Sequence, residues 1–275
     1  MILNGLRDGF SSPSGPYQGT SGIFEIGTAS VNYNVAFNPF NGYIDQVVFT
    51  PRAKNATEIL NDATLVVWYT FDNGSYLDSG PLWINGTGVS VTSVTGRVNQ
   101  ALSFTSSLSY FQGSGFTLLG TVNQSYSIAL WVNPTTVSGG ATIVHMASTS
   151  TGLGWCIPTI GLSISGQIIT QSYNGSLVTI TGPILTLNAW THVAETYSFT
   201  HGLRMYLNGT LYSSSASFTY QASSAAMAII IGNPLNGTTC LSSPVVPGQY
   251  WGTMDEFRLY SRELNSTDVY SLANP

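Results

Sequence analysis

Cleavage of a glycosidic bond by a retaining route needs two carboxyl groups about 5–5.5 Å apart in one cleft. On a strand, such a pair must occupy positions i and i+2 or i+4, which share a face. The chain has 12 acidic residues, and the pattern Glu-X-Asp-X-X-Glu is absent from it. Its only adjacent acidic pair, Asp255–Glu256, falls in a strand-like run and is expected to point to opposite faces, where the two cannot act on one bond. No Gly-X-Ser-X-Gly elbow, His-Glu-X-X-His helix or phosphate-cradling glycine loop is present. The three histidines, His145, His192 and His201, are far apart in sequence and make no metal-ligand spacing. No enzyme is expected.

Binding chemistry has more candidates. Calcium takes six to eight oxygens from carboxylates, carbonyls and water. Asp72 and Asp78 could approach Asp255 if the strands that carry them pair. The alternatives are that Asp78-Ser79-Gly80 is a turn capped by its own carboxylate, and that Asp255 satisfies backbone amides or pairs with Arg262. Trp83 and Trp155 lie in glycine-containing loops, where an aromatic face could stack on a sugar. For Trp155, beside Cys156, packing on a disulfide is the competing reading. Trp68, Trp131 and Trp190 sit in or at the start of strands and read as core, and His192 reads as a hydrogen-bonded structural residue.

Two kinds of residue point to the secretory route. Eight Asn-X-Ser/Thr sequons occur, at Asn55, Asn73, Asn85, Asn123, Asn174, Asn208, Asn236 and Asn265. Most fall in turns between strand-like runs, where N-linked glycans can be attached. Two cysteines, Cys156 and Cys240, fit one disulfide in an oxidising compartment, with two buried thiols as the alternative. Only 7% of residues are charged, against roughly 25% in an average soluble domain. Hydroxyls, amides, glycans or burial in an assembly must therefore keep the surface wetted. A net charge of −5 with seven basic residues cannot form a phosphate-binding stripe, which excludes nucleic acid. The longest wholly apolar stretch, Ala225 to Ile231, is too short for a membrane-spanning helix, and Asn4, Arg7 and Asp8 interrupt any signal-peptide core.

The elements that must position these residues are short. Runs such as Leu65–Phe71, Ala101–Phe104, Ser127–Val132, Thr142–His145, Ile168–Ser172, Thr191–Tyr197, Arg204–Leu207 and Met254–Tyr260 alternate or are β-branched, with Gly, Asn, Pro and Ser between them. This pattern predicts an all-β sandwich. Helix signals are confined to Asn55–Leu60 and Asn265–Leu272, each behind a polar cap.

Both helices belong to an internal repeat. Gly42–Ile59 (GYIDQVVFTPRAKNATEI) aligns without a gap to Gly252–Val269 (GTMDEFRLYSRELNSTDV). Ile26–Gly27 matches Ile231–Gly232, and Met1–Gly5 (MILNG) matches Met205–Gly209 (MYLNG). Glu256 is Gln46 in the other copy, which reads as a dispensable charge. Residues 66–275 then form one complete unit, and residues 1–65 the C-terminal third of a preceding one. A third of a sandwich leaves sheet edges and an inner face uncovered. The chain is therefore expected to be a window onto a longer array, or to be completed by a neighbouring subunit as in a filament.

The succession VWYTFDNGSYLDSG (Val67–Gly80), SIALWVNP (Ser127–Pro134), AWTHVAETY (Ala189–Tyr197), GLRMYLNG (Gly202–Gly209), IIIGN and WGTMDEFRLYSRELNSTDVYSL resembles the laminin-G-like jelly-roll family of the concanavalin-A-like lectin/glucanase superfamily. The resemblance covers residues 66–275 and, as the tail of a preceding copy, 1–65. It implies an antiparallel β-sandwich jelly roll in which Trp68–Phe71 lies beside Met254–Leu259. It further implies function by binding to glycans, cell-surface partners or extracellular matrix, sometimes with calcium. The expected function is that of a secreted, N-glycosylated structural or adhesive repeat protein that associates with neighbouring repeats or subunits. A calcium-assisted carbohydrate- or receptor-binding module is the alternative.

Overall fold

The computed structural model describes residues 2–3, 6–7, 26–27, 39–44, 47–240 and 242–275. Two compact units divide the chain, Met1–Ala63 and Thr64–Pro275. In the first, β1 (Ile2–Leu3) and β2 (Leu6–Arg7) pair as a hairpin, and α1 spans Ala56–Thr64. In chain order the second contains β3 (Leu65–Tyr69), β4 (Thr87–Val89), β5 (Val91–Thr95), β6 (Gln100–Phe104) and β7 (Tyr110–Phe116). Next come β8 (Tyr126–Pro134), β9 (Ala141–Ala147), β10 (Cys156–Leu162), β11 (Gln167–Tyr173) and β12 (Leu177–Ile184). The unit closes with β13 (Thr191–Ser198), β14 (Gly202–Leu207), β15 (Thr210–Ser214), β16 (Met227–Ile231), β17 (Gly252–Tyr260) and α2 (Ser266–Ala273).

Two antiparallel sheets result. One has seven strands in the order β12-β11-β10-β9-β16-β7-β4; the other has eight, β15-β14-β13-β8-β17-β6-β5 with β3 also on β17. Alternating side chains of both sheets interdigitate in the core, among them Leu102, Ile128, Leu130, Val132, Ile143, Ile157, Ile229, Met254 and Phe257. This is the all-β sandwich read from the sequence. Trp68 pairs with Arg258 and Val67 with Leu259, as the resemblance implied.

β17 has to serve three partners. Against β8 it runs the whole length; on its other side Gly252–Met254 pair with β6 and Phe257–Tyr260 with β3. A bulge between Asp255 and Arg258 makes the change, with Glu256 in the left-handed region at φ 54°. An extra residue in one strand breaks the alternation of faces, so the expectation that Asp255 and Glu256 simply oppose each other does not hold. Asp255 Oδ2 accepts the backbone N–H groups of Arg97 and Val98, at 2.8 and 2.9 Å. Glu256 accepts from Trp68 Nε1 at 3.0 Å and pairs with Arg258. Its charge is therefore used here. In the first unit the counterparts are Gln46 and Val48, so both members of the ion pair are replaced together.

α2 lies on the outer face of the eight-stranded sheet. Its Val269 is buried with Ala129, Ala194, Tyr206, Tyr260 and Leu264, and the small Ala129 and Ala194 side chains admit the helix. Asn265 and Asp268 form a reciprocal capping box, and Arg262 bonds Asp268 at 2.7 Å. The same local geometry recurs at α1. Asn55 accepts from Glu58 N, Asn55 N donates to Glu58, and Arg52 bonds Glu58 at 2.7 Å. The hairpins match as well: Leu3 pairs with Leu6 as Leu207 pairs with Thr210. Asn208 and Gly209 have φ of 49° and 82°, the positive values that an Asn-Gly hairpin turn requires.

An acidic residue of β13 lies in the interior of the sandwich. Glu195 on β13 is fully buried and accepts hydroxyl hydrogen bonds from Thr159 (2.8 Å) and Tyr126 (3.0 Å). Burial disfavours its charged form and pushes its pKa up to about 8. The folded protein therefore holds a proton that the unfolded chain releases above its ordinary pKa of 4.5. Stability from this group is full below about 4.5 and falls as pH rises towards about 8. Glu195→Gln mimics the protonated acid. Its melting temperature should exceed the parent's by a margin that grows between pH 5 and 8, corresponding to a few kcal/mol, on the order of 1.4 kcal/mol per pKa unit. An equal margin at both pH values would exclude this titration.

Candidate functional site

The loop between β3 and β4 holds the best-placed exposed aromatic residue. Asp78, itself buried, organises this loop. Its Oδ1 accepts from Trp68 N (2.9 Å) and Gly80 N (2.6 Å), its Oδ2 from Ile84 N (3.0 Å), and its own N–H donates to Asn85 Oδ1. Tyr69 Oη donates to the Ile84 carbonyl at 2.6 Å. Tyr76 packs edge-on against Phe111, and Gly88 leaves the room, since a Cβ there would lie 2.6 Å from the Tyr76 ring. The loop is thus tied at both ends and in its middle.

At its tip Trp83 takes φ 58° and is 76% exposed. A bulky residue in the left-handed region costs about 1–3 kcal/mol. Phe71 adopts φ 61° a few residues earlier, but it is buried in the core, which offsets that cost. Trp83 has no such offset. Leu77 and Leu82 of the same loop are exposed as well.

The structure does not bring Asp72, Asp78 and Asp255 together as a calcium cage. Among the described residues they form no cluster of ligand atoms. Asp72 instead accepts from Gln100 N (3.0 Å) and Asn99 Nδ2 (3.1 Å), and the other two carboxylates accept backbone N–H groups as described. Arg262 pairs with Asp268 rather than Asp255. Burial raises Asp255 to about 7, and its Oδ1 is buried without a partner. Each carboxylate thus does the work of backbone pairing where the ladder is interrupted.

Trp155 is not a free platform. It packs edge-on against Tyr173 (5.9 Å) and Tyr220 (6.5 Å), and its backbone N–H donates to Ser148 Oγ. Trp131 is buried, as its place in a strand suggested, and Trp68 is half-buried; each lies beneath an arginine. Arg258 sits 4.5 Å from the Trp68 ring centroid and Arg97 4.7 Å from that of Trp131. Trp190 is half-buried. His192 is buried edge-on to Trp131 at 5.2 Å, its pKa lowered to about 3 by desolvation and then by Arg258.

All eight sequon asparagines are exposed and none lies in a strand. In Asn55, Asn85, Asn123, Asn174, Asn208 and Asn265 the amide oxygen accepts a protein hydrogen bond. Asn208 and Asn265 flank a groove of about 390 Å³ lined by Gly209, Thr210, Leu211, Ser266, Thr267 and Tyr270. Cys156 and Cys240 form a disulfide with Cα atoms 5.5 Å apart. No spacing signalled that His145 would join them: it is 95 residues from Cys240, yet its Nε2 lies 3.8 Å from Cys240 Sγ.

If Asp78 is the clamp and not a calcium ligand, Asp78→Ala should cost about 2–3 kcal/mol, because it strands three backbone donors. Calcium, by contrast, should leave the melting temperature of the parent unchanged. A calcium-dependent rise abolished in Asp78→Ala would reverse this assignment.

Comparison with known proteins agrees with this architecture. Domain 4 of AbnA, an extracellular arabinanase from Geobacillus stearothermophilus solved with arabinotriose, aligns at TM-score 0.54 and 21% identity over 76% of this chain and 98% of that domain. The binding domain of botulinum neurotoxin serotype G aligns at 0.56 and 18%, over 76% of this chain and 50% of the toxin domain. That of Paraclostridial Mosquitocidal Protein 1 aligns at 0.55 and 17%, over 78% of this chain and 52% of that domain. These likenesses are of fold. No curated protein matches the sequence. A family model of the laminin-G type matches residues 105–270, and the chain belongs to the concanavalin A-like lectin/glucanases superfamily.

Proposed function

We propose that the protein is a non-catalytic binding module of an extracellular, N-glycosylated protein, and that it recognises carbohydrate or a glycosylated receptor through the Trp83 loop. The observation that carries this reading is the exposed Trp83 side chain at the tip of a loop whose backbone is held by Asp78 and Asn85. A loop ordered before binding presents an aromatic face at a lower entropic cost. Aromatic faces suit the C–H patches of pyranoses and furanoses. Arabinotriose bound to the AbnA domain and the receptor-binding role of the toxin domains lend the reading support from the same fold, although function follows the site and not the fold.

Exposure of every sequon supports passage through a glycosylating secretory route, as does the disulfide. In Asn55, Asn85, Asn174, Asn208 and Asn265 the partner is a backbone N–H, which only donates, so the accepting atom is oxygen. Nδ2, the nitrogen to which a glycan would attach, makes no hydrogen bond among the described residues. On a glycan array the chain is expected to bind a restricted set of saccharides, and Trp83→Ala to weaken that binding at least about tenfold at unchanged melting temperature. Absence of saccharide binding, or binding indifferent to Trp83→Ala, would count against this reading.

A second reading, the repeat array, rests on the first unit. Ile44 and Val47 are exposed there, whereas their counterparts Met254 and Phe257 are buried in β17. An apolar strand sequence left uncovered favours association with neighbouring repeats or subunits. Light scattering should then show concentration-dependent self-association that Ile44→Asp with Val47→Asp abolishes. A monomer at all concentrations would exclude self-assembly of this chain.

A further inference from the structure

Two sulfurs and one imidazole nitrogen from three distant stretches converge beside the seven-stranded sheet. His145 lies on β9, Cys156 opens β10, and Cys240 lies in the connection between β16 and β17. Their ligand atoms all fall within 4.8 Å of one another. The Gly152 carbonyl joins them, 3.0 Å from His145 Nε2 and 3.5 Å from Cys240 Sγ, with Sγ to Nε2 at 3.8 Å. A tetrahedral zinc with bonds of about 2.3 Å to sulfur and about 2.0–2.1 Å to nitrogen and oxygen has ligand–ligand edges of about 3.3–3.8 Å. The three separations to Nε2 and to the Gly152 carbonyl lie near those edges, while the two sulfurs, bonded in the disulfide, must part on reduction to about 3.8 Å. His145 is buried, with its Nε2 facing Gly152 and Cys240. Cys240 is only half-buried, which leaves a path for an ion.

From this we infer that Cys156, Cys240 and His145, with the Gly152 carbonyl as fourth ligand, form a site for a thiophilic divalent cation such as zinc once the disulfide is reduced. Disulfide and metal are alternative fastenings of the same connection. A dithiol reductant supplies two electrons; the S–S bond breaks, two cysteine thiols form and the dithiol closes to its own disulfide. The cation then displaces both thiol protons, and the ring proton, which the Gly152 carbonyl holds on Nε2 in the oxidised form, moves to Nδ1 so that the Nε2 lone pair can bind. That Nδ1 is buried without a partner, so the site lacks the outer acceptor that strengthens histidine ligation, and binding is weaker than at a fully supported site.

Either fastening holds the connection against the sheet. Val245 packs into the space left by Gly161, where a Cβ would lie 2.3 Å from Val245 Cγ1, and Ser243 Oγ donates to Gln171 Oε1 at 2.9 Å. The covered face thus stays covered whichever redox state the cysteines adopt.

The test is anaerobic titration of the whole chain with Co²⁺, oxidised and after dithiol reduction and reductant removal. Reduced protein should bind one equivalent and show thiolate-to-cobalt charge transfer with the intense visible bands of tetrahedral coordination; the oxidised chain should show neither. Zinc should bleach the bands. His145→Gln should weaken cobalt binding at least about tenfold, and Cys240→Ser should abolish the charge-transfer band. Circular dichroism of the reduced chain should match the oxidised one when zinc is present. Reduced protein that shows no such bands, that binds with equal strength in His145→Gln, or that stays unfolded in zinc would overturn the inference.

Discussion

One strand with three neighbours fixes the rest of this fold. β17 must hydrogen-bond β8 along its full length and share its other edge between β6 and β3. Two partners cannot abut on one edge without a gap, and a gap leaves backbone donors that burial makes costly. The bulge at Glu256 sets that gap, and the Asp255 carboxylate fills it with hydrogen bonds to the β5–β6 turn. Glu256, turned by its left-handed backbone, locks Trp68 of β3 from the other side. The two acids that could have suggested hydrolysis are thus the joinery of the sheet. Their chemistry is spent on backbone and indole N–H groups.

Fixing β3 against β17 in turn fixes the loop that follows β3. Asp78 reaches back to Trp68 N, so the β3–β4 loop is anchored to the same strand that Glu256 holds. The hydrogen-bonded backbone therefore runs from the central strand into the loop that carries Trp83. A platform of this kind loses little conformational entropy when a ligand settles on it.

The first unit carries the same hairpin and the same capped helix as the end of the second, down to the Arg–acid–Asn triad at the helix start. Local motifs of this sort need only their own residues, because a cap satisfies donors within one turn of helix. A strand such as β17 needs neighbours. Residues 47–50, aligned with the middle and end of β17, carry no strand pairing.

Alternation of apolar residues was enough to read the sandwich, and polar caps before apolar runs were enough to place both helices, since each depends on contacts within a few residues. The cysteine pair was legible because only two were available. Short edge strands such as β4, β5 and β15 were not, because their exposed faces impose no period. Nor was the carboxylate chemistry. Whether Asp72, Asp78 and Asp255 held a cation or backbone amides depended on which chain segments stopped short of pairing, a property of the assembled sheet. Tertiary structure alone decided that Trp155 is packed while Trp83 is free, that Arg97 and Arg258 cover Trp131 and Trp68, and that His145 meets the cysteines. Each of these is a meeting of residues far apart in the chain, and no local spacing records how two stacked sheets bring their ends together.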